Sequence, residues 1–483
     1  MMKKNIFTKI CALLSVLAIG GASGCSALES LLGGSSAGDS TQVESSVTSG
    51  NPVTSESPSA SEEPEDSEDV GTSEDPTTSE TPETSEDPTT SEIPDEPELA
   101  LFLKLPTEEV VPYKQTVYDY LTAGTGAKVE DYYQKMDTQA ISTKISWTMS
   151  GKGTRKFIVE YATKADYSDA IQVEATATQR SIEVYNLYKD TTYYVRVTAY
   201  GAKDAVLYNI AEGTFKTTGV GPRFMHIEGI DGKAVYNVRD LGGYTTTDDK
   251  TLVQGIAYRS GHLKPSGGYT NEVSENGLAY MSEVMGIKTE IDFRTPKEAG
   301  FDGGSFIPGA SLTYITLNGY ENTFQYDDEY KAFFTMLADE SNYPMIMHCT
   351  GGADRTGSVV YLLHTMLGVS ELECLQGYEL TSFSAYGLRD TQKVGSEYKD
   401  YWDGFMTKLN TYAGNTKQEK VETWMKTVVG ITQAQIDKIK GIFYGEIAVD
   451  GAFTPTKENT AAKAAQKMYS DSLAAWAVQK KED

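Results

Sequence analysis

The sequence is poor in the residues that mark several common protein classes. Its 483 residues include four cysteines, Cys11, Cys25, Cys349 and Cys374, too scattered for a disulfide framework. No Cys-x-x-Cys or Cys/His cluster offers a zinc site, and none of the four histidines stands at ligand spacing, so neither a metal nor another cofactor is expected. There is no run of Lys or Arg and so no basic face for nucleic acid. The N-terminal apolar run, Ile10 to Ile19, is too short for a comfortable membrane span. Between Ser26 and Ala100 Lys and Arg are missing altogether, while roughly twenty Asp and Glu fall there. Most of the formal charge of −27 therefore belongs to one segment.

What is present divides into four parts. Residues 1–24 read as an export signal, with Lys3, Lys4 and Lys9 ahead of the apolar run. The small residues Gly21-Ala22-Ser23-Gly24 lead into Cys25, which resembles a bacterial lipoprotein processing box with Ala22 where Leu is usual. The resemblance implies that Cys25 is lipidated and that the mature protein is anchored on the extracytoplasmic face of the cell membrane; plain secretion is the alternative. Residues 25–98 are Ser, Thr, Glu, Asp and Pro with a near-repeat, TSEDPTTSE at Thr72–Glu80 and again at Thr84–Glu92. Such a chain buries too little apolar surface to offset its ordering entropy, so an extended, disordered tether is expected.

Residues 99–219 carry short alternating runs separated by turns: KISWTM from Lys144, KFIVEYAT from Lys156, AIQVEATA from Ala170, SIEVYNL from Ser181, TTYYVRVTAY from Thr191 and GTFKTT from Gly213. This is a β-sandwich pattern. Trp147 in an early strand and the stretch Asn186 to Tyr200 resemble a fibronectin type III domain, which implies a spacer or binding module without chemistry of its own. The preceding stretch, Leu99 to Ser142, is irregular and has no assignment.

Residues 220–483 alternate strands and helices, an α/β pattern with a mostly parallel central sheet flanked by helices. Gly286–Arg294 and Tyr343–Cys349 read as buried strands; Gly277–Gly286, Asp327–Glu340 and Gly357–Gly368 read as helices, and beyond Leu372 the chain reads as helical almost to its end. The chemistry concentrates in His348-Cys349-Thr350-Gly351-Gly352-Ala353-Asp354-Arg355-Thr356-Gly357, an apolar strand running through a small-residue loop into a helix. Five residues between Cys349 and Arg355 let the main-chain N–H groups of Thr350, Gly351, Gly352, Ala353, Asp354 and Arg355 curl around one tetrahedral anion. The glycines permit the backbone angles this needs, and the helix adds its positive end. Cys349 is expected there as a thiolate nucleophile, Arg355 as a planar fork for two phosphate oxygens, Thr356 as a hydrogen-bond donor to the sulfur, and His348 as a brace for the loop.

His-Cys-x5-Arg-Thr-Gly resembles the signature of the protein tyrosine phosphatase superfamily. Tyr236–Tyr244, Tyr258–Leu263 and Ile291–Glu298 stand ahead of it in the order of a bacterial subfamily of secreted tyrosine and phosphoinositide phosphatases. The resemblance, over about Met225 to Ser384, implies hydrolysis of phosphomonoesters through a phosphocysteine, with phosphotyrosine proteins or peptides as favoured partners and small organic phosphates behind them. Inositol polyphosphates or phosphoinositides are the alternative within that class, and a non-catalytic surface adhesin the alternative outside it. Where the subfamily loop has lysine this chain has Ala353, which points away from additional phosphates on a lipid headgroup; Phe293 replaces a Leu. The resemblance also implies an aspartate general acid. Asp292 and Asp354 together are the expectation, whereas Asp327 and Asp328 read as the start of a helix. Arg239, Asp240, Arg259 and Arg294 read as structural ion pairs or turns, His226, His262 and His364 as surface or packing residues, and Cys374 as a small core residue.

Overall fold

The computed structural model describes residues 100–453 apart from 137, 205 and 265–271. The export-signal segment, Cys25, the acidic tether and the last 30 residues lie outside the described residues.

Strands β1 (Leu101–Lys104), β2 (Thr143–Met149), β3 (Lys156–Ala162), β4 (Ile171–Thr176), β5 (Ser181–Val184), β6 (Thr192–Tyr200) and β7 (Val206–Lys216) make two antiparallel sheets, ordered β1-β2-β5 and β4-β3-β6-β7. Alternate residues turn inward, as the period-two pattern requires. Ile145 and Trp147 of β2 meet Phe157, Val159 and Tyr161 of β3 and Val195 and Val197 of β6 in one core. The Trp147 ring sits 5.2 Å from that of Phe157, and the Tyr193 hydroxyl accepts the Tyr188 N–H at 2.8 Å. Strand β1 was not legible as a strand in the sequence; it pairs with β2 from Leu101↔Met149 to Lys104↔Ser146.

The stretch between β1 and β2 belongs elsewhere. Helix α1 (Gln115–Thr122) buries Val117 and Tyr120, and these join Tyr113 and Val129 in a cluster with Phe224, Leu380 and Phe383 of the α/β part. Gln376 Nε2 donates to the carbonyls of Tyr120 and Leu121 at 3.3 Å, Gln392 donates to the Ala127 carbonyl at 2.7 Å, and Lys393 pairs with Glu130 at 2.8 Å. A second seam lies at the turn between β5 and β6. There Asn186 exchanges hydrogen bonds with the His226 main chain at 2.7 and 2.9 Å. The buried Lys189 ammonium donates to the carbonyls of Gly221 and Gly243.

Strands β8 (Arg239–Asp240), β9 (Ala257–Ser260), β10 (Thr289–Asp292), β11 (Ser311–Tyr314) and β12 (Met345–His348) form a five-stranded sheet ordered β11-β10-β12-β9-β8. Every pair is parallel except β8 with β9. Strands β9, β10 and β12 are buried at every position, as strands covered on both faces must be. The helices are α2 (Glu275–Ala279), α3 (Pro296–Ala299), α4 (Asp327–Leu337), α5 (Asp354–Met366), α6 (Glu371–Glu379), α7 (Glu397–Leu409), α8 (Lys417–Trp424) and α9 (Gln433–Phe443). The helix read over 277–286 is shorter, because the chain widens into a π turn at Tyr280–Val284. Helix α4 turns Tyr330, Phe333, Phe334 and Leu337 inward at helical spacing. Trp402, Phe405, Trp424, Ile436 and Phe443 of α7 to α9 complete the same core, so these helices pack the α/β part rather than stand apart from it. No described helix is long and apolar enough to cross a membrane.

The α1 seam generates a prediction. The Tyr120 hydroxyl donates to the buried Glu379 carboxylate, whose other oxygen takes the Thr391 N–H at 2.9 Å and the Thr391 hydroxyl at 2.6 Å. Burial already pushes the Glu379 carboxyl up from its usual range. Tyr120→Phe strips one donor from a buried acceptor and should destabilise the fold by about 1–3 kcal/mol. Urea unfolding checks this; an unchanged midpoint would show that the seam contributes no stability.

Candidate active site

Strand β12 runs between β9 and β10, so its carboxyl end opens where ligands bind on open α/β sheets. The chain leaves β12 at Cys349 and enters α5 at Asp354. Cys349 is buried and makes no disulfide. In the loop, Gly352 adopts φ +60°, and a Cβ there would stand 2.0 Å from the Ser260 carbonyl oxygen. No other residue fits that angle and that approach.

The direction of the loop peptides is fixed from outside. The Thr350 carbonyl accepts the His262 N–H at 3.0 Å and faces His262 Nδ1 at 2.6 Å. Burial holds the His262 pKa down at about 4, so the ring is neutral and its Nδ1–H can donate. The carbonyls of Gly351 and Gly352 accept from Asn237 Nδ2 at 3.0 and 3.2 Å, and the Gly352 carbonyl also accepts from Arg259. Asn237 itself sits at φ +62°, an angle Asn tolerates better than most side chains, and its amide also reaches the Thr381 hydroxyl at 3.1 Å. The N–H groups of residues 350–352 take no main-chain acceptor among the described residues. With three successive carbonyls turned outward, the loop can present its amides on the inner side.

Arg355, in the first turn of α5, extends its guanidinium to Glu298 in a two-pronged pair at 2.7 and 2.5 Å. Glu298 also accepts from the Thr350 hydroxyl at 3.3 Å. Hydrogen bonding to Arg355 holds the Glu298 carboxyl below its usual range. Burial works against the Arg355 charge, but Glu298 and Cys349 outweigh it and raise its pKa.

The two aspartates expected to share acid chemistry lie in different settings. Asp292 ends β10 and grips Arg294 with both oxygens, at 2.9 Å from Nε and 2.7 Å from Nη2. Burial would lift its carboxyl, yet His348 and Arg294 outweigh burial and hold it below the usual carboxylate range. Asp354 is partly exposed and accepts from the Tyr320 hydroxyl at 2.5 Å and from Arg389 Nε at 2.9 Å. Asp327 and Asp328 are exposed in the first turn of α4.

His348 meets the loop at one atom, its Nδ1 3.4 Å from the Cys349 carbonyl, and otherwise faces the neighbouring strand. It stands opposite Asp292 in the β12–β10 register, so its ring reaches across the sheet, with Nε2 2.9 Å from Glu290 and Nδ1 3.8 Å from Asp292. Burial disfavours the charged ring, but these two carboxylates prevail and raise its pKa. The hydrogen bond expected from Thr356 to the sulfur is not formed; the hydroxyl is buried in the first turn of α5 with no partner among the described residues.

Several residues that shape the loop were read as structural or passed over: Asn237, Arg259, His262, Glu298, Tyr320 and Arg389. Asn237, Arg259, His262 and Glu298 stand inside motif blocks singled out in the sequence, which is the one signal that pointed to them. Of the others, Asp240 pairs with Arg223 at 2.9 Å and accepts the Gly242 and Gly255 N–H groups. His226 is buried and stacks on Tyr185. His364 is buried with Nε2 3.0 Å from the Leu241 carbonyl, and burial pushes the Cys374 thiol up to about 12. Among the described residues no group of three or more His, Cys, Asp or Glu is arranged to hold a metal ion.

Comparison with known proteins adds sequence support. Residues 230–445 match the model of the tyrosine phosphatase family. A Cupriavidus necator protein provisionally named a tyrosine-protein phosphatase is 24% identical over 172 residues, covering 30% of this chain and 59% of that protein. The chain thus spans less than two thirds of that relative's length. Among solved structures, the core catalytic domain of the PP-IP phosphatase SIW14 from S. cerevisiae aligns at 14% identity over 38% of this chain and 88% of that one, with a TM-score of 0.22. A redesigned β-sandwich protein aligns at 22% identity over 18% of this chain and 90% of its own, with a TM-score of 0.16. The segment similar to the tyrosine phosphatase family is therefore the α/β part, from just ahead of β8 to just beyond α9, and it holds Cys349, Arg355 and the side chains that grip the loop between them.

Proposed function

We propose that this chain hydrolyses phosphate monoesters through a phosphocysteine at Cys349. The observation that carries the reading is the outward anchoring of the carbonyls of residues 350–352, which frees the inner amides for the oxygens of a phosphoryl group beside the sulfur. The Cys349 sulfur attacks phosphorus as the ester P–O bond breaks, and an acid protonates the departing oxygen. Water then attacks the thiophosphate, releasing inorganic phosphate and restoring the sulfur. Arg355 carries two non-bridging oxygens, exchanging part of its Glu298 pair for them. The aspartates divide: Asp354, open to solvent at the loop, is the acid, while Asp292, its carboxyl held below the usual range, keeps Arg294 and His348 in place.

Phosphotyrosine proteins or peptides are the substrate class we favour. The subfamily lysine that would meet a further phosphate is replaced here by Ala353, and the family match is to tyrosine phosphatases. We further propose a lipid anchor at Cys25, a tether over residues 25–98, and a fibronectin type III-like role as spacer for the two antiparallel sheets, which would place the reaction on the extracytoplasmic face of the membrane.

Four outcomes test this reading. Cys349→Ser should abolish hydrolysis of an aryl phosphate by the full chain; wild-type turnover in that variant would falsify the covalent route. Gly352→Ala forces the loop off the Ser260 carbonyl and should lower kcat/KM on the order of 10²-fold, as a misplaced reacting group does. Glu298→Gln removes a half-exposed partner of Arg355; with solvent screening discounted, about a tenfold loss in kcat/KM is expected. A rate panel of phosphotyrosine peptide, phosphoserine peptide, phytate and phosphoinositide should rank the phosphotyrosine peptide first, and a lead for phytate would replace the substrate assignment.

A further inference from the structure

The α/β core holds a small cavity of about 10 Å³. Its walls include Arg239, Arg259, Tyr244, His364, Cys374 and Tyr378. Arg239 and Arg259 are 1% and 2% exposed. Both terminal nitrogens of Arg239 and Nε of Arg259 are buried without a hydrogen-bond partner among the described residues. A guanidinium does not shed its proton under ordinary conditions, so two of them in a dry interior call for negative charge.

The protein's own walls do not supply it. Asp240 is the carboxylate in the lining, and its oxygens are engaged by Arg223 and by the N–H groups of Gly242 and Gly255; Cys349 and Asp354 act on Arg259 from outside the lining, whereas at Arg239 burial and the Arg259 charge dominate. Burial holds the Cys374 thiol up at about 12 and the His364 ring down at about 4, so both are neutral at physiological pH. His364 Nε2 is occupied by the Leu241 carbonyl, and the Tyr378 hydroxyl faces Tyr320 at 2.5 Å. The volume sets the size of the missing partner. About 10 Å³ is the room open to the centre of roughly one small sphere, which leaves no space for phosphate, sulfate or a carboxylate.

We propose that this cavity is a binding site for a single monatomic anion of the halide class, chloride in physiological media, held between the guanidiniums of Arg239 and Arg259. The site is coupled to the loop through one side chain, because Arg259 also donates to the Gly352 carbonyl. An anion there balances the charge of Arg259 and leaves it free to keep that peptide turned outward. The site is separate from the position proposed for substrate phosphate, and its existence does not depend on the catalytic reading.

Crystals of the full chain soaked in bromide test the proposal directly. An anomalous peak within hydrogen-bond distance of both guanidiniums is expected; density that refines as water, with no anomalous signal, overturns it. In solution at constant ionic strength, chloride or bromide should raise the melting temperature of the wild type by several degrees relative to gluconate, and Arg239→Met should lose that difference. An equal halide effect in wild type and variant would also overturn the assignment. Should Arg239→Met fail to fold, the bromide experiment on the wild type decides alone.

Discussion

A peptide carbonyl turned away from its own backbone partners must find a donor elsewhere, and the α/β part is organised around three that do so in succession. Thr350, Gly351 and Gly352 point their oxygens at His262, Asn237 and Arg259. These donors come from the end of β9, the residue just beyond it and the turn before β8, all on the far side of β12 from Glu298. The loop is therefore held by groups whose own positions are set by the sheet. Loop shape and sheet order are one constraint: moving β9 by a fraction of its register would release the peptides it holds.

Apart from Arg239 and Arg259, most charge in this region is balanced locally. Asp292 with Arg294, His348 with Glu290, Arg355 with Glu298, Asp354 with Arg389, and Asp240 with Arg223 each place a cation against a carboxylate at 2.5 to 2.9 Å. Buried charges left single are costly, and pairs with good geometry offset much of that penalty. The pairs nearest the loop are also the more open: the side chains of Arg355 and Glu298 are 20% and 39% exposed, against 5% and 3% for Arg294 and Asp292. That gradient distinguishes the pair that can exchange partners with an incoming anion from the pair that serves as a fixed post.

Much of this was legible in the sequence, and the gaps have physical causes. The buried strands around Ile291 and Met347 and the helix after Asp354 declared themselves because an apolar run bounded by small residues leaves few alternatives. The short pieces were hidden. Strand β8 has two residues, too few for any period, and β11 has the length of β10 and β12 without their unbroken burial. Cys349 and Arg355 were visible because their spacing along the chain is their spacing in the site. Asn237, His262 and Glu298 were not, because their partners are 114, 88 and 57 residues away, and no local pattern encodes such a meeting. The carboxylates that His348 meets were hidden for a related reason: its register opposite Asp292 decides where the ring points, and register across a parallel sheet is not written in either strand alone.

The order of the pieces along the chain has a consequence for how the protein moves. The polypeptide contributes β1 to the antiparallel sheets, then lays α1 against the helices beyond Cys349, then returns for β2 to β7, and only afterwards builds the α/β sheet. Three connections, not one, join the halves, and Lys189 and Asn186 fasten them again at a second seam. A module attached at a single point can swivel; one sewn in at several cannot. Force applied to the sheets would be transmitted through α1 to Phe383 and Glu379, and so to the stretch whose Tyr386 packs over Gly351.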